Sequence, residues 1–575
     1  MKTKHSRLNF SRLAEALAGL ALLAQTATAQ QWSTNTLPPG LISWWSADGN
    51  TLDVTGVNPA SSSGQTYGPG RFGQAFHFNG LNQSVAAPGS ASLDQWTQFT
   101  LEAWMKLDQT EDVAGGAPGR MVINRVGNAT DHANFNQGYQ FGFWNNARSL
   151  VLAFNTNGQA WPGFYTEAVL PASLPTNVWL HYAATYDHNA VTLYLNGVPV
   201  KTNVIGAATV AHSSSAFRIG MDDNGNCPFP GSIDDVRVYN RALSKGEIAY
   251  LYQGPTPPVT QGLKFHLDAS DVNAGSNPAD GEPVNTWRDL SGLGLDATPL
   301  FGVAPVYRTH ALNGRAGVDF SLSGSDSLAT AFTSQLNFTN CTIVMVGNGA
   351  NTGTHVSISA ATLKQEYCIY DKGIQHHSSP YHYAYRNHQD TPAGFYIQAG
   401  LFGVKAGQLA NLINGVASTT GFVFGQQSPT LNDVADYTSV NRQAILGWRN
   451  SDADGNPPVA SENFGGVICE ILVYDRQLSG PEVDAVNFFL ANKYGLPVTP
   501  ILPVLQLVSA TSGTVALQWA ATLGRQYQLQ SATNLSTASW ASEGAPLNGT
   551  GSVLATNLSI SSGSAKFFRL LLPGN

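Results

Sequence analysis

The feature that most restricts this chain is a stretch that occurs twice, with Tyr239 in the first copy and Tyr474 in the second. Residues 231–248 read GSIDDVRVYNRALSKGEI, and residues 466–483 read GVICEILVYDRQLSGPEV. The two copies lie 235 residues apart, from Tyr239 to Tyr474. So long a period indicates a duplicated domain, because solenoid repeats are about 20 to 50 residues long. Alternating apolar residues predict a strand in each copy, and a Ser-x-x-Glu sequence predicts the start of a helix. We therefore expect two domains that each end in a strand and a short helix.

Length and composition favour several β-rich domains. The chain of 575 residues exceeds one hydrophobic core, and about 150 residues per domain predicts three or four, or fewer if they are sandwiches. Only 11% of the residues are charged, whereas there are 58 glycines and 30 prolines. This balance is typical of strands joined by turns. The net charge of −8 gives no basic surface of the kind that nucleic-acid-binding proteins use.

The first 29 residues predict a secretory signal peptide. Four basic residues among the first twelve precede an apolar run, and Ala27-Thr-Ala29 follows it. The alternative is an amphipathic N-terminal helix. No other run approaches the roughly 18 apolar residues of a membrane span. We expect a protein that is secreted or held at the cell surface, without a membrane span.

The first repeat contains a series of separated motifs in a fixed order. They are Trp44-Trp45 with Asp48-Gly-Asn50, residues 72–80, Phe99 to Trp104, Trp179-x-His181, Thr185 to Asp187, Leu195-Asn-Gly197 and Ile233 to Ser244. In this order they resemble the laminin G-like jelly roll of the concanavalin A-like lectin/glucanase superfamily, over about Gly40 to Gln253. The resemblance implies a two-sheet sandwich, often binding carbohydrate or protein and often carrying a calcium ion.

The predicted fold class is all-β, with two tandem jelly-roll sandwiches followed by a small sandwich. The second repeat is a more diverged member of the same superfamily. The Pro-rich linker between the repeats is interpreted as stiff enough to hold its neighbours apart. The expected segments are a signal peptide at 1–29, a laminin G-like jelly roll at 37–253, the linker at 254–261, the second jelly roll at 262–497 and a fibronectin- or immunoglobulin-like module at 504–573.

Catalysis has little support in the motifs. Retaining glycosidases need two carboxylates about 5 Å apart, and the glucanase pattern Glu-x-Asp-x-x-Glu is absent. The nearest string, Glu482-Val-Asp484, falls in the second predicted helix, where we interpret it as a capping and solvent-facing feature. The sequence favours a protein that is not an enzyme, although a site assembled across loops stays open.

A calcium ion is predicted at Asp48 and Asp234. Calcium takes six to eight oxygen ligands, which turns supply readily. In the jelly rolls that this repeat resembles, the opening and closing strands run side by side, so Asp48 and Asp234 would meet. Alternation places Asp234 on the buried face of Val236, and the alternative is an aspartate that accepts backbone hydrogen bonds. In the second repeat Asp268 answers Asp48, while Cys469 replaces Asp234.

Three aromatic residues are the predicted ligand-binding residues, because sugar rings stack on flat aromatic faces. Trp144, Trp161 and Tyr165 lie in loop-like surroundings, and Gln140 would share the face of Trp144. Core or surface packing is the alternative for each of them. A histidine-rich stretch at 376–388 is interpreted as a mobile polar loop, with zinc binding as the alternative.

Four cysteines are too few for a disulfide framework. If the strands of Cys341 and Cys469 are neighbours, they can bring these two residues together, and a disulfide between them is predicted; the alternative is buried, free thiols.

The function expected from these observations is non-catalytic binding of a glycan or a cell-surface protein, with calcium as a structural ion. Two alternatives remain at this point. One is a polysaccharide hydrolase or lyase on the same scaffold, and the other is a structural envelope or adhesion protein.

Overall fold

A computed structural model describes residues 32–572 with internal gaps. The predicted signal peptide and Trp161 lie outside the described residues. In the part of the chain that is described, no helix has the length and apolar character needed to cross a membrane. The gaps are 95, 111–118, 127–136, 157–162, 224, 274–275, 322–325, 350–352, 361–365, 371–372, 380–381, 389–393, 404–407, 421–422, 425–439, 449–463, 512, 535–538 and 560–565, together with the side chains of 377–379, 382–384 and 423–424.

The first repeat is a sandwich of two antiparallel sheets. Its closing sheet, named for the last strand β15, has the order β13-β12-β11-β6-β15-β4-β3, and β1 also pairs with β15. Its opposite sheet has the order β10-β9-β8-β7-β14-β5-β2. The strands are β1 Leu41–Trp45, β2 Ser61–Ser63, β3 Thr66–Pro69, β4 Gln74–Asn79, β5 Ser84–Ala87, β6 Phe99–Leu107, β7 Gly119–Asn124, β8 Tyr139–Trp144, β9 Ser149–Phe154, β10 Phe164–Val169, β11 Trp179–Tyr186, β12 Ala190–Leu195, β13 Val198–Val204, β14 Phe217–Ile219 and β15 Pro230–Tyr239, with a 3-10 turn at Ala91–Leu93 and helix α1 at Lys245–Gln253.

The second repeat has the same strand order, with β29 as one additional edge strand in its opposite sheet. Its closing sheet runs β18-β19-β31-β21-β26-β27-β28, with β16 paired to β31, and its opposite sheet runs β17-β20-β30-β22-β23-β24-β25-β29. The strands are β16 Leu263–Asp268, β17 Thr298–Pro299, β18 Val306–Leu312, β19 Arg315–Phe320, β20 Leu328–Ala329, β21 Cys341–Gly349, β22 Thr354–Ala360, β23 Glu366–Tyr370, β24 Gly373–Ser379, β25 His382–Asn387, β26 Tyr396–Phe402, β27 Ala410–Ile413, β28 Val416–Ala417, β29 Val423–Phe424, β30 Arg442–Leu446 and β31 Gly466–Tyr474, with 3-10 turns at Ala269–Asp271 and Ser334–Leu336 and helix α2 at Gly480–Tyr494.

Both repeats close in the same way, as the sequence predicts. Val236 and Val238 of β15 point into the first core, and Ile471 and Val473 of β31 point into the second. The helix that follows each strand begins with a capping box, formed by Ser244 and Glu247 in α1 and by Ser479 and Glu482 in α2. Reciprocal bonds of this kind satisfy backbone donors that a helix start leaves unpaired.

A threonine ties each helix start to its sandwich. Thr100 of β6 donates its hydroxyl to the Arg241 carbonyl and accepts the backbone N–H of Leu243. Thr342 of β21 makes the equivalent two bonds with Arg476 and Leu478. The unit that follows the closing strand is therefore anchored through one side chain in each repeat.

The linker between the sandwiches does not hold them apart, and this expectation is wrong. Trp44 and Tyr239 of the first sandwich share one buried apolar cluster with Val344 and Leu472 of the second. The two helices also meet, and the rings of Tyr250 in α1 and Phe489 in α2 lie 5.6 Å apart. The outer faces of both closing sheets contribute apolar residues to this cluster, and burying these residues against each other stabilises the pair.

A small two-sheet module follows α2 and packs on it. Its strands are ordered β32-β33-β37 in one sheet, while β34 pairs with β35, β36 and β38 in the other. The strands are β32 Gln506–Thr511, β33 Thr514–Ala520, β34 Gln526–Ala532, β35 Ala541–Ser542, β36 Leu547–Asn548, β37 Val553–Ser559 and β38 Phe567–Leu571.

Candidate functional site: a sheet face and two buried charge clusters

The two aspartates predicted to bind calcium hold one turn from two sides. This turn joins β3 to β4, and its first N–H donates to the Gly73 carbonyl. Asp234 accepts the backbone N–H groups of Arg71 at 2.7 Å and Phe72 at 3.1 Å through Oδ2. Asp48 accepts the N–H of Gln74 at 2.8 Å. The acceptor role that the sequence left open for Asp234 is therefore present.

The predicted face of Asp234 is wrong, because a β-bulge interrupts the alternation. Asp234 lies opposite Trp104 and Arg237 lies opposite Glu102, so two residues of β15 face a single residue of β6. Asp235 takes a φ of 53° at this point. Val236 returns to the core, while Asp234 shares the outer face with Arg237. A bulge re-aims the side chains of a strand in this way.

The calcium site stays a prediction. Asp48 Oδ1 and Asp234 Oδ2 already accept backbone N–H groups. A cation bound at these oxygens would have to compete with those hydrogen bonds. One oxygen differs, because Asp234 Oδ1 is buried and has no hydrogen-bond partner among the described residues. Burial first and the neighbouring Asp235 second raise the pKa of Asp234 to about 9. The registers also align Asp268 with the position of Ser46 rather than Asp48.

The structure places Trp144 and Tyr165 on the outer face of the opposite sheet of the first sandwich. Phe141 and Phe143 of β8 point into the core, so Gln140 and Trp144 point outward together, as predicted. Tyr165 is 42% exposed on β10. Trp144 is only partly exposed, and its ring packs on Gly119, where an added Cβ would lie 2.5 Å from the ring.

A row of side chains crosses this face from strand to strand. Tyr165 lies opposite Ala153, Ala153 opposite Gln140, Gln140 opposite Asn124 and Asn124 opposite Arg218. Neighbouring strands lie about 4.8 Å apart. Tyr165 and Gln140 are therefore about 9.6 Å apart across a small alanine. We call these five residues the polar row.

Asn124 is the unexpected member of the polar row. Its side chain is buried, yet neither its Oδ1 nor its Nδ2 has a hydrogen-bond partner among the described residues. Its neighbour Arg218 is held by Asp223 at 2.7 Å. An unpaired buried amide costs about 1–3 kcal/mol. No sequence pattern points to this residue, because the bulge of β7 between Met121 and Ile123 turns it outward.

The predicted disulfide between Cys341 and Cys469 is not formed, and both thiols are free and buried. Their strands are neighbours, as the hypothesis requires. However, Thr342 pairs with Tyr474 whereas Cys469 lies beside Glu470, opposite the far end of β21. The two side chains also enter different apolar clusters, since Cys341 packs inside the second sandwich and Cys469 between the sandwiches.

The outer face of the first closing sheet contains a buried charge cluster. Arg237 donates to Glu102 at 2.8 Å and pairs with Asp235 at 2.8 Å, and His181 lies 3.0 Å from Glu102. Trp44 donates its indole N–H to Asp235 at 2.7 Å. Burial raises the pKa of Glu102, but Arg237 and His181 more than offset it, so the pKa lies below its ordinary value.

The second closing sheet has a different cluster in the same place. Lys493 of α2 lies 2.5 Å from Asp268 Oδ2 and 2.7 Å from Glu470 Oε2. His266 and Tyr494 contact Glu470 at 2.9 and 3.0 Å. Burial raises the pKa of Asp268, but Lys493 outweighs it and lowers the pKa to about 2.

His266, Asp268 and Glu470 are close enough together to hold a metal ion. The ammonium of Lys493 already contacts both carboxylates and supplies the positive charge between them. The sequence contains each of these residues, but nothing in their spacing indicates that Lys493 reaches the strands, because it lies 225 residues from Asp268.

Two further interpretations are corrected by the structure. The histidine-rich stretch forms strands β24 and β25 rather than a mobile loop, and His376 is buried. Asp484 does not face solvent. It accepts hydrogen bonds from Arg525 at 2.9 Å and Thr522 at 2.8 Å, both in the third module.

Comparison with known proteins supports the fold of the first sandwich. Residues 79–249 match a laminin G family model described as "Concanavalin A-like lectin/glucanases superfamily". The predicted resemblance of this sandwich is confirmed. The match does not extend to the second sandwich or the third module.

Individual relatives cover short parts of the chain. Usherin of Mus musculus is 24% identical over 186 residues, which is 32% of this chain and 3% of usherin. Adhesion G-protein coupled receptor V1 of Danio rerio is 23% identical over 159 residues, 27% of this chain and 2% of the receptor. Domain 4 of AbnA, an extracellular arabinanase from Geobacillus stearothermophilus solved with arabinotriose, is 21% identical, with a TM-score of 0.30 over 37% of this chain and 98% of that domain.

Proposed function

We propose that this protein is a non-catalytic glycan-binding protein, secreted or held at the cell surface. We further propose that its first sandwich binds a sugar on the outer face of the opposite sheet. The polar row is the observation that supports this function. It combines an exposed aromatic ring, Tyr165, with amide donors and acceptors on neighbouring strands, and such a combination suits a sugar ring.

The spacing of the row fits a monosaccharide unit. Ala153 separates Tyr165 from Gln140, so the sheet has no bulky side chain between an aromatic surface and an amide. Glu167, two residues from Tyr165 on β10, adds a carboxylate on the same face. A sugar that stacks on Tyr165 would accept from and donate to Gln140.

Glycan-array binding tests the proposal on the full chain. Tyr165→Ala and Gln140→Ala should each weaken binding about tenfold, since a stacking or buried polar contact contributes about 1–2 kcal/mol. Val204→Ala is the matched control, because Val204 is 70% exposed on an edge strand of the other sheet. Equal binding by Tyr165→Ala and the control would refute this face as the binding site.

The same preparation separates the alternatives. Binding without release of reducing ends or unsaturated products supports a binding protein. Released product would instead establish a hydrolase or lyase. Binding to cells or proteins, with no glycan on the array recognised, would favour the adhesion protein.

Calcium binding at Asp48 and Asp234 is a second part of the proposal. The unpartnered Asp234 Oδ1 supports it, because a buried carboxylate oxygen gains from a cation. Calcium should raise the melting temperature of the wild type and leave Asp234→Asn unchanged relative to EDTA. An equal effect on both proteins would place the ion elsewhere.

A further inference from the structure

The buried cluster of the second sandwich brings an amine against a carboxyl group. Lys493 Nζ lies 2.5 Å from Asp268 Oδ2, and the two side chains are 1% and 0% exposed. Glu470 lies 2.7 Å from the same nitrogen and is 1% exposed. Reacting groups held in contact in this way have lost the entropy that a bimolecular reaction would cost.

The carboxyl group of Asp268 is prepared on its other oxygen. Ser270 donates its backbone N–H at 2.8 Å and its hydroxyl at 2.6 Å to Asp268 Oδ1. Two donors on one carboxyl oxygen stabilise the negative charge that develops there when a nucleophile adds to the carbon. Oδ2, which faces Lys493, is then the oxygen that can leave.

Glu470 is held where it can carry a proton. Its Oε1 is fixed by His266 at 2.9 Å, and its Oε2 contacts both Tyr494 and Lys493 Nζ. A carboxylate within hydrogen-bonding distance of the nucleophile is suitable for general acid–base catalysis. The exposures of 0 to 1% show that bulk water does not reach the cluster.

We propose that Lys493 and Asp268 join in an intramolecular amide bond, with Glu470 as the proton carrier. Lys493 first gives a proton to Glu470, and its neutral amine adds to Cγ of Asp268. Glu470 returns this proton to Oδ2, then takes a second proton from the adding nitrogen and passes it to the same oxygen as the bond between Cγ and Oδ2 breaks, so that one water molecule leaves. The ammonium and the carboxylate thereby become one amide and one water, without oxidation or reduction.

The bond replaces two buried charges by a neutral group. Burying a charge costs free energy even when it is paired, so loss of the ammonium and of one carboxylate favours the product. The amide would also tie the opening strand β16 to helix α2 across 225 residues. A cross-link that closes a long loop restricts the unfolded chain most.

The first sandwich lacks this reaction, and it is an internal control. The acid at the position of Glu470 is Asp235, and its cation is Arg237. Ser46 occupies the position of Asp268. A guanidinium stays protonated, so it does not add to a carboxyl group.

Mass spectrometry of the full chain tests the proposal. The wild-type protein should be lighter than its sequence by the mass of one water molecule. Trypsin should fail to cleave after Lys493, and fragmentation should find peptides containing Asp268 and Lys493 joined. Glu470→Gln keeps the size of the side chain and should leave the sequence mass, while Lys493→Arg is the matched variant that keeps the charge.

Asp268→Asn gives a second readout if the charge-altering variants fold poorly. Asparagine loses ammonia instead of water, so this variant should reach the same cross-linked mass as the wild type. A wild-type protein with its full sequence mass, cleaved normally after Lys493, would overturn the proposal. A cross-link that persists in Glu470→Gln would also overturn the role given to Glu470.

Discussion

The two sandwiches each bury an acid on the closing strand, and they neutralise it with cations from different elements. Each closing strand carries a buried acid at the same position, Asp235 in the first and Glu470 in the second. Each acid accepts a hydrogen bond from a ring N–H of the opening strand, from Trp44 in the first, and His266 contacts Glu470 in the same geometry. The balancing cation comes from the strand in one repeat, as Arg237, and from helix α2 in the other, as Lys493.

This difference shows which parts of a duplicated fold are tightly specified. Strand order, capping boxes and the anchoring threonines are the same in the two repeats. The position of the balancing charge is not, because a buried acid needs a cation in contact but does not specify which element supplies it. The second sandwich thereby depends on its helix for charge as well as for apolar packing.

Removing either cation should give the largest effect. Lys493→Met leaves Asp268 and Glu470 buried without the amine that contacts both of them, whether as an ammonium ion or as the proposed amide, and Arg237→Met leaves Glu102 and Asp235 buried without a counter-charge. Each should lower the free energy of unfolding by about 3–5 kcal/mol, measured by guanidinium denaturation.

Lys201→Met is the control for both cation variants, because Lys201 is exposed on β13. If Lys493→Met were as stable as this control, the helix-borne charge would not matter. The comparison between the sandwiches would then fail.

The second-largest effect is expected at Asp484, a residue at which helix α2 differs from helix α1. The residue at the same position of α1 is Ala249, whereas Asp484 of α2 contacts Arg525 in the third module at 2.9 and 3.0 Å. Asp484→Ala should weaken the docking of this module by about 3 kcal/mol, because it leaves a buried arginine unpaired. Limited proteolysis of residues 497–503, which lie between α2 and the module, should be faster in this variant than in the wild type.

The partly exposed Asp475 provides the control as Asp475→Ala. Unchanged proteolysis of Asp484→Ala would show that the module is held by other contacts.

Acid should weaken the second sandwich through two buried histidines. Burial lowers the pKa of His355 and of His376 from 6.5 to about 3. The unfolded state therefore binds more protons, and stability is lost as the pH falls from 6.5 toward 3. The loss is about 2 kcal/mol per histidine at pH 5, measurable by urea denaturation at pH 7 and pH 5.

His376→Leu should reduce this pH dependence, and the exposed His310 gives a control as His310→Gln. The first sandwich differs in this respect, because its buried His181 contacts the carboxylate of Glu102 at 3.0 Å. A pH dependence untouched by His376→Leu would contradict the assignment.

The capping boxes should give the smallest effects, and equal ones. Glu247→Gln and Glu482→Gln should each cost about 0.5–1 kcal/mol. Hydrogen bonds from Arg476 and Ser479 lower the pKa of Glu482 to about 2. The contribution of the Glu482 carboxylate to the free energy of unfolding is therefore present above about pH 4.5 and is lost as the pH falls toward 2. Clearly unequal losses would show that the two helix starts are not equivalent.

Local patterns predicted the elements well. Alternation around Tyr239 and Tyr474 gave the closing strands, and the Ser-x-x-Glu sequences gave both helix starts. The face of Trp144 followed from the same alternation. These predictions depend on contacts within a few residues, which the sequence states directly.

The failures occurred where a distant contact decides the outcome. Alternation placed Asp234 in the core, but the bulge at Asp235 turned it outward. The helical pattern predicted that Asp484 faces solvent, but the third module covers it. Cys341 and Cys469 were on neighbouring strands, yet the register separated them.

The sequence by itself determined that this chain makes two sandwiches fastened by a strand and a capped helix, because periodicity and capping act over short distances. Only the tertiary structure decided which faces are covered, which acid meets which cation, and which amide on the sheet is left without a partner. The physical reason is that burial sets the free energy of a charged or polar group, and burial depends on residues that lie hundreds of positions away.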